Sequence, residues 1–214
     1  AVTPAMPFDV CGAMSQGYIG YHMQQGLEKV LRARKNGKRV VTVVTQVVVD
    51  KDDPKFKAPS KPIGPFYTED EARKLEAEKG YTMKEDAGRG WRRVVASPMP
   101  VEIVELDAVK CLMNGGFIAI TVGGGGIPVI KDENGNYIGT AAVIDKDLAS
   151  ERLAEDIDAD ALVILTAVEQ VCINFGKPEQ KSLATMTVEE ARRYMAEGHF
   201  APGSMLPKVE AAVK

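Results

Sequence analysis

The chain shows helix-like and strand-like hydrophobic patterns in turn from its first residues. Residues 13–35 lack proline, contain many good helix formers and run into an Asn-Gly pair, a combination that predicts a helix. Residues 39–50 (RVVTVVTQVVVD) are dense in β-branched side chains and predict a buried strand that runs on into something longer. Within the helix, Gly17 and Gly20 leave a smooth face, which fits either ordinary core packing or a contact between subunits.

The pattern becomes irregular between about residue 50 and residue 100. Six prolines mark loops in this region, a short charged helix is predicted over residues 68–80, and residues 92–95 predict a returning strand. The region also carries aromatic side chains to bury, namely Phe66, Tyr67 and Trp91. It is therefore predicted to be a subdomain that projects from the main sheet, not a linker.

Strand and helix patterns alternate after Pro100. Helices are predicted over residues 101–114, 148–157 and 188–197, strands over residues 117–122, 161–166 and 171–174, and a hairpin at residues 133–136. A last helix is predicted after Gly203, with Pro207 in its first turn and Ser204 or a neighbour as its cap. This alternation predicts an α/β protein with a doubly wound sheet and helices on both faces.

Composition and charge limit which partners and which compartment are expected for this protein. The net charge of −3, without a basic block, gives no electrostatic reason to expect nucleic acid or a membrane as a partner. No run approaches the roughly 18 apolar residues of a membrane span, and no signal peptide is visible. The three cysteines are far apart and lack CxxC spacing, so neither a disulfide framework nor a zinc site is predicted, and a reducing cytoplasm is expected.

Both ends of the chain are unusual. It begins Ala1-Val2-Thr3-Pro4 without an initiator methionine, and residues 209–214 read as a helix that lacks a glycine stop signal. We expect a segment of a longer protein, or a protein trimmed at both ends.

A glycine run follows the predicted strand at residues 117–122. Gly123, Gly124, Gly125 and Gly126 allow backbone N–H groups to turn towards one point, and an anion to approach without obstruction by a Cβ. The spacing is not that of a dinucleotide fingerprint. A plain turn and a ligand-binding loop both fit, and the position at the carboxyl end of a strand favours the second.

Two lysines are predicted at helix starts, where a cation opposes the helix dipole. Lys146 precedes Asp147, which would serve either as an ordinary helix N-cap or to orient a lysine that meets a phosphate. Lys208 repeats this arrangement after Gly203. Two such lysines suit the binding of a polyphosphate, because phosphoryl transfer needs charge neutralisation and alignment above all.

Other polar residues are weaker candidates. Lys61 lies between loop prolines and, considered alone, predicts a solvent-exposed side chain, while residues 86–93 predict a turn with structural arginines or an anion contact. His22 and His199 lack partners at catalytic spacing, and no Walker A sequence, nucleophile elbow or metal-ligand cluster occurs.

Seven segments, in order along the chain, resemble the carbamate kinases of the amino acid kinase family. They are PFDVCGAMSQGYIGY (residues 7–21), SKPIGPFY (60–67), EDAGRGWRRVV (85–95), GGGGIPV (123–129), AVIDKDLAS (142–150), INFGKPEQ (173–180) and GHFAPGSMLPKVEAA (198–212). Residues 60–67 and 85–95 are the most specific, because sister kinases for acetylglutamate, aspartate or UMP lack them.

The resemblance implies an αβα sandwich with residues of about 50–100 as a lid, together forming one partial kinase domain over residues 1–214. It implies that MgATP lies over one half of the sheet and carbamate or carbamoyl phosphate over the other, in a homodimer. By likeness, Lys146 and Lys208 contact the phosphates, Asp147 organises them, and Lys61 reaches in from the lid. Residues implied to border the nucleotide are Thr166, Ala167, Val168, Gly203, Ser204 and Met205, and those implied to border the reacting groups are Gly123, Gly124 and Gly125.

Three functions follow from these observations. The first is a carbamate kinase, which in cells typically runs towards ATP at the end of arginine fermentation. The second is a non-catalytic remnant that binds a nucleotide or a partner, because the family's first strand and its acceptor-holding glycine turns would precede Ala1. The third is a sister amino acid kinase with another acceptor.

Overall fold

A computed structural model of the chain describes residues 6–86 and 88–214. The helices are α1 (Phe8–Ala33), α2 (Glu69–Lys79), α3 (Leu106–Asn114), α4 (Lys146–Asp156), α5 (Val188–Ala196) and α6 (Met205–Ala212). The strands are β1 (Val40–Thr42), β2 (Gln46–Val49), β3 (Lys61–Tyr67), β4 (Thr82–Glu85), β5 (Trp91–Val95), β6 (Pro100–Ile103), β7 (Ile118–Ile120), β8 (Ile127–Lys131), β9 (Tyr137–Gly139), β10 (Val171–Ile173) and β11 (Lys181–Leu183). No helix in this part of the chain is long and apolar enough to cross a membrane.

The main sheet has the strand order β6-β2-β8-β9, in which β2 and β8 are parallel and the outer strands are antiparallel. β1 and β7 form a second, parallel pair. Val47, Val49, Ile103, Ile144 and Ala149 pack together and join this sheet to α4. The α/β prediction is confirmed, and this core packs Ile144 and α4 against β2 and β6.

The strand predicted over residues 39–50 is not continuous in the structure, where it is divided into β1 and β2. Gln16 of α1 fills the break with its side-chain amide: its Nε2 donates to the Thr45 carbonyl at 3.0 Å, and its Oε1 accepts from the Thr45 amide at 2.7 Å. Thr45 is fully buried, and its hydroxyl bonds Thr121 at 2.7 Å and accepts from the Val122 amide at 3.0 Å. A side chain thus replaces the ladder partner that a continuous strand would need.

The region of about residues 50–100, the lid, has a three-stranded antiparallel sheet of its own with the order β3-β5-β4. Thr68 caps α2 in a capping box with Glu71, as the charged helix predicted there requires. Phe66, which we expected to be buried, is exposed, and the guanidinium groups of Arg89 and Arg92 lie 5.0 and 5.1 Å from its ring centre. Two guanidinium groups of the lid, and not a hydrophobic core, therefore cover this ring.

Two further predictions were wrong. The helix expected over residues 101–114 begins only at α3, because the preceding residues pair with β2 as the antiparallel strand β6. The strand expected over residues 161–166 has no ladder partner among the described residues, and Val163 and Leu165 are 78% and 91% exposed. β-branched residues favour a strand only where a neighbouring strand completes the hydrogen bonds.

Candidate active site

The start of α4 is the centre of the candidate site. Asp145 is the N-cap, and its Oδ1 accepts from the Asp147 amide at 2.9 Å. Asp147, offered as the cap by its sequence position, lies instead in the first turn, where its side chain is only 9% exposed. The Asp147 carboxylate does not cap the helix and instead contacts Lys146 and Lys208.

Asp147 joins the two lysines predicted at helix starts. The Lys208 ammonium donates to both carboxylate oxygens, at 2.9 and 3.2 Å, and the Lys146 ammonium does the same at 3.2 and 3.3 Å. Lys208 is 18% exposed and Lys146 is 62% exposed. One buried carboxylate therefore holds two cations at a helix N-terminus, where backbone N–H groups add further positive potential.

Lys61 reaches the same place from the lid. It begins β3, and its ammonium donates to Asp145 Oδ2 at 2.6 Å. Burial acts to raise the pKa of the Asp145 carboxyl, but the Lys61 ammonium and the Asp147 amide outweigh it and hold that pKa below its ordinary value. The residue is thus a carboxylate at neutral pH, and three lysines surround the first turn of α4.

The glycine run lies directly against the start of α4. Gly125 has φ +104°, and a Cβ placed there would lie 2.2 Å from the Ile144 carbonyl oxygen, one residue before Asp145. A Cβ on Gly126 would lie 2.2 Å from a Val47 methyl group. Gly124, with φ +67°, has no atom within 4 Å of that position. Packing therefore explains Gly125 and Gly126, whereas Gly124 turns its backbone towards open space.

A cavity of ≈ 350 Å³ opens on the glycine side of the site. Gly123, Gly124 and Ile63 of the lid line it, together with Gln16 of α1 and Val143. Ile63 lies two residues along β3 from Lys61, so the lid strand serves both the cavity and the lysine cluster.

A second cavity, of ≈ 340 Å³, includes Lys208 in its wall. The predicted nucleotide residues that line it are Thr166, Ala167, Val168, Ser204 and Met205. Gly203 and Lys146 are not among its lining residues. Lys146 instead contacts Asp147, which also binds Lys208. The structure thus brings most of the predicted set together beside one lysine.

The helix predicted after Gly203 is present as α6, but the cap expected from the Ser204 side chain is not formed. Ser204 makes no capping hydrogen bond with its side chain, and the Leu206 amide donates instead to the Ala201 carbonyl at 3.0 Å. Phe200 and Val209 pack with α5 and hold this turn in place. The position of Lys208 is therefore fixed by this packing and not by a side-chain cap.

Several residues of the site escaped the sequence analysis. Asp145 was given no role, although an Asp directly before a helix is a known cap signal. His199 and Phe175 both line the second cavity, and both lie in segments that carry the family resemblance (residues 198–212 and 173–180), although neither was given a role in the site. By contrast, Arg89 and Arg92 pair with Asp86, which supports the structural explanation of that turn; Ala87 lies outside the described residues.

The chain is similar over almost its whole length to known kinases. A model of the amino acid kinase family matches residues 27–214. The carbamate kinase of Clostridium perfringens is 62% identical over 211 residues, which are 99% of this chain and 67% of that protein. The carbamate kinase-like protein YqeA of Escherichia coli is 59% identical over 213 residues, 99% of this chain and 68% of that protein.

Solved structures give the same result. Carbamate kinase from Giardia lamblia bound to AMP-PNP is 48% identical, with a TM-score of 0.88, and the match covers 100% of this chain and 67% of that one. The chain thus spans about two thirds of the length of these relatives.

Proposed function

The chain belongs to the amino acid kinase family, in its carbamate kinase branch, and on that basis we propose that it transfers a phosphoryl group between ATP and carbamate. The observation that carries this proposal is the cluster of Lys61, Lys146 and Lys208 around the start of α4, with Lys208 in the wall of one cavity and Ile63, two residues along β3 from Lys61, in the wall of another. A donor nucleotide on one side and a small acceptor on the other would meet at these cations.

The reaction itself explains why the site needs cations more than a general base. A carboxylate oxygen of carbamate forms a bond to the γ-phosphorus of ATP, and the bond from that phosphorus to the β,γ-bridging oxygen breaks. The products are carbamoyl phosphate and ADP, and the reaction balances without loss or gain of a proton. Both reactants are anions, so their repulsion is the main obstacle, and preorganised positive charge lowers it.

Each predicted residue has a role in this scheme. Lys208 and Lys146 neutralise the nucleotide phosphates and the transferring group, and Asp147 keeps both ammonium groups in one place. Lys61 supplies charge from the lid. Gly123 and Gly124, which line the first cavity, border the acceptor, whereas Gly125, predicted to do the same, donates its N–H to the Val122 carbonyl at 3.0 Å and packs against the start of α4. The nucleotide lies along the wall formed by residues 166–168 and by Ser204 and Met205, with Gly203 supporting that turn.

Magnesium ion enters with the nucleotide. Mg²⁺ keeps water and phosphate oxygens as ligands and needs few protein carboxylates. This fits the donor set, because no group of three metal-binding side chains occurs within residues 6–86 and 88–214, while Asp147 is a carboxylate beside the nucleotide cavity. The ion would supply charge neutralisation at the phosphates.

The direct test is ATP formation by the full-length protein from ADP, Mg²⁺ and carbamoyl phosphate, followed by a luciferase assay. ATP must appear in proportion to enzyme and must depend on carbamoyl phosphate. A preparation that binds MgADP in calorimetry but forms no ATP would contradict the proposal and support the non-catalytic alternative. The third hypothesis, a sister kinase with another acceptor, is tested by offering acetylglutamate, aspartate and UMP as acceptors with ATP. Phosphorylation of one of these compounds, with none of carbamate, would support that hypothesis and contradict the proposal.

A homodimer through α1 is also proposed. One side of this helix exposes large apolar residues, among them Met14, Tyr18 and Tyr21 at 61%, 69% and 60% exposure. Monomers rarely leave so large a contiguous apolar surface in water, and a two-fold contact would cover it on both copies. Tyr18→Asp should convert the dimer to a monomer in light scattering, and a dimer of unchanged mass would contradict this interface.

The cytoplasm is the proposed location, with carbamoyl phosphate consumed to form ATP as in arginine fermentation. Three free cysteines, Cys11, Cys111 and Cys172, support a reducing compartment. Detection of the protein in a cell fraction outside the cytoplasm would contradict this location.

A further inference from the structure

Asp145 has two partners, one on each carboxylate oxygen. Oδ1 accepts from the Asp147 amide at 2.9 Å and caps α4, while Oδ2 accepts from the Lys61 ammonium at 2.6 Å. The residue is 8% exposed. A single buried side chain therefore connects the lid to the helix that carries Lys146 and Asp147.

A helix cap does not require this charge. Thr68 caps α2 and Thr187 caps α5, each with a neutral hydroxyl. A buried carboxylate costs free energy unless a cation and hydrogen bonds compensate for the water that it loses. The second oxygen of Asp145, and its negative charge, are therefore explained by Lys61 and not by the cap.

The backbone brings the two residues together independently of the ion pair. Lys61 pairs with Val95 in the lid sheet, and the carbonyl of the next residue, Ala96, accepts from the Val143 amide at 3.0 Å. Val143 lies two residues before Asp145. The base of the lid is thus attached to the segment that leads into α4, and the ion pair lies at the end of this attachment.

The charge of Asp145 excludes it from direct contact with a phosphoryl group, because two anions repel each other. Its effect on the reaction must pass through Lys61. An ammonium group has three N–H donors, so Lys61 can bond Asp145 and still offer two donors to phosphoryl oxygens. Asp145 can therefore direct the lysine without occupying all of it.

From this geometry we propose that Asp145 is a positioning residue: it seats the lid on α4 and directs the Lys61 ammonium to the transferring phosphoryl group. This inference rests on the proposed function for its kinetic part. Seating of the lid, by contrast, is a property of the protein alone and can be measured without turnover.

The test uses Asp145→Asn in the full-length protein, because asparagine keeps an oxygen to cap α4 and loses only the charge. The kcat of ATP formation should fall at least about 10-fold, as expected for the loss of a charge-assisted hydrogen bond. The KM for ADP should change less than about 2-fold, since neither Asp145 nor Lys61 is among the residues that line the nucleotide cavity. Amide hydrogen exchange in β3 should become faster. Glu78→Gln, the same kind of change in an exposed lid pair with Lys74, should alter none of these.

Lys61→Met and the double variant show whether Asp145 acts through the lysine. In the Lys61→Met background, Asp145→Asn should change kcat by less than about 2-fold, because the partner is already gone. Independent, multiplying losses would overturn the proposal, and so would wild-type kcat and wild-type exchange in Asp145→Asn. If the wild-type protein forms no ATP, the proposed function fails, and the exchange of β3 alone decides whether Asp145 seats the lid.

Discussion

Pairs of lysine and carboxylate occur both at the start of α4 and along the lid helix α2, but they lie in different surroundings. Lys208 and Asp147 are 18% and 9% exposed at the site, whereas Lys74 and Glu78 on α2 are 71% and 57% exposed. Water screens the exposed pair and replaces either partner easily, so such pairs contribute little to stability. Water is largely excluded from Lys208 and Asp147, although not from Lys146, so the buried Asp147 carboxylate depends on its lysine partners.

This difference indicates what the buried pairs do. Three cations close together would repel one another, and Asp145 and Asp147 hold them together by ion pairs, with Lys208 in the wall of the second cavity. The pairs on α2 lie on an exposed helix and keep its surface charged. The same chemical contact thus belongs to the proposed binding site in one region and keeps the surface charged in the other.

Removal of Lys208 should produce the largest difference between the two regions. We expect Lys208→Ala to lower kcat for ATP formation at least ~10²-fold, because it removes one preorganised charge from the transferring phosphoryl group. Lys74→Ala is the matched control on α2 and should retain the wild-type rate. Wild-type turnover in Lys208→Ala would show that the cluster at α4 does not act on the phosphoryl group.

Two glycines with positive φ extend the comparison to the backbone. Gly125→Ala should lower the free energy of unfolding by at least about 2 kcal/mol, because the new Cβ meets the Ile144 carbonyl oxygen as well as an unfavourable φ. Gly80 ends α2 with φ +64° and open space around it, so Gly80→Ala should cost only about 1 kcal/mol. Urea unfolding of both variants measures the difference. Equal losses would mean that the glycine run is not packed against α4.

The same contrast shows how far the sequence could predict this molecule. Lys146, Lys208 and the glycine run were identified because helix starts and strand ends have local signals, and the family resemblance linked them to Lys61. The division of residues 39–50 could not be predicted, because it depends on Gln16, which is distant in sequence and enters the break with its side chain.

Long-range partners explain the other errors as well. The β6 residues have a helix-compatible pattern and become a strand only because β2 lies beside them. Residues 161–166 have a strand pattern but no ladder partner among the described residues. The contact of Asp145 with the lid could not be predicted because its partner Lys61 is 84 residues away, although the position of Asp145 before α4 was a local signal for a cap.

Acid should weaken the buried pair at Asp145 in a defined pH range. The pKa of this carboxyl is held below its ordinary value of 3.8, so the stabilisation is fully present above that pH and is lost as the pH falls through the lower, folded value. The difference in unfolding free energy between wild type and Asp145→Asn should therefore be constant from neutral pH down to about pH 4 and shrink below it. Thermal unfolding across this range measures it. A difference that grows in acid would mean that the ion pair does not stabilise the folded lid.

The smallest effect is expected where the exposed pair on α2 is broken. Glu78→Gln should change the free energy of unfolding by less than about 0.5 kcal/mol, since the Lys74–Glu78 contact is 3.8 Å long and solvated on both sides. Glu78 also lies near the carboxyl end of α2, where a negative charge opposes the helix dipole, so its neutralisation offsets part of the loss. Urea unfolding at low and high salt measures both contributions, because salt should remove what little difference remains. A salt-independent loss as large as that of Gly125→Ala would mean that the lid helix, like the start of α4, depends on its ion pairs, and the contrast between the two regions would then fail.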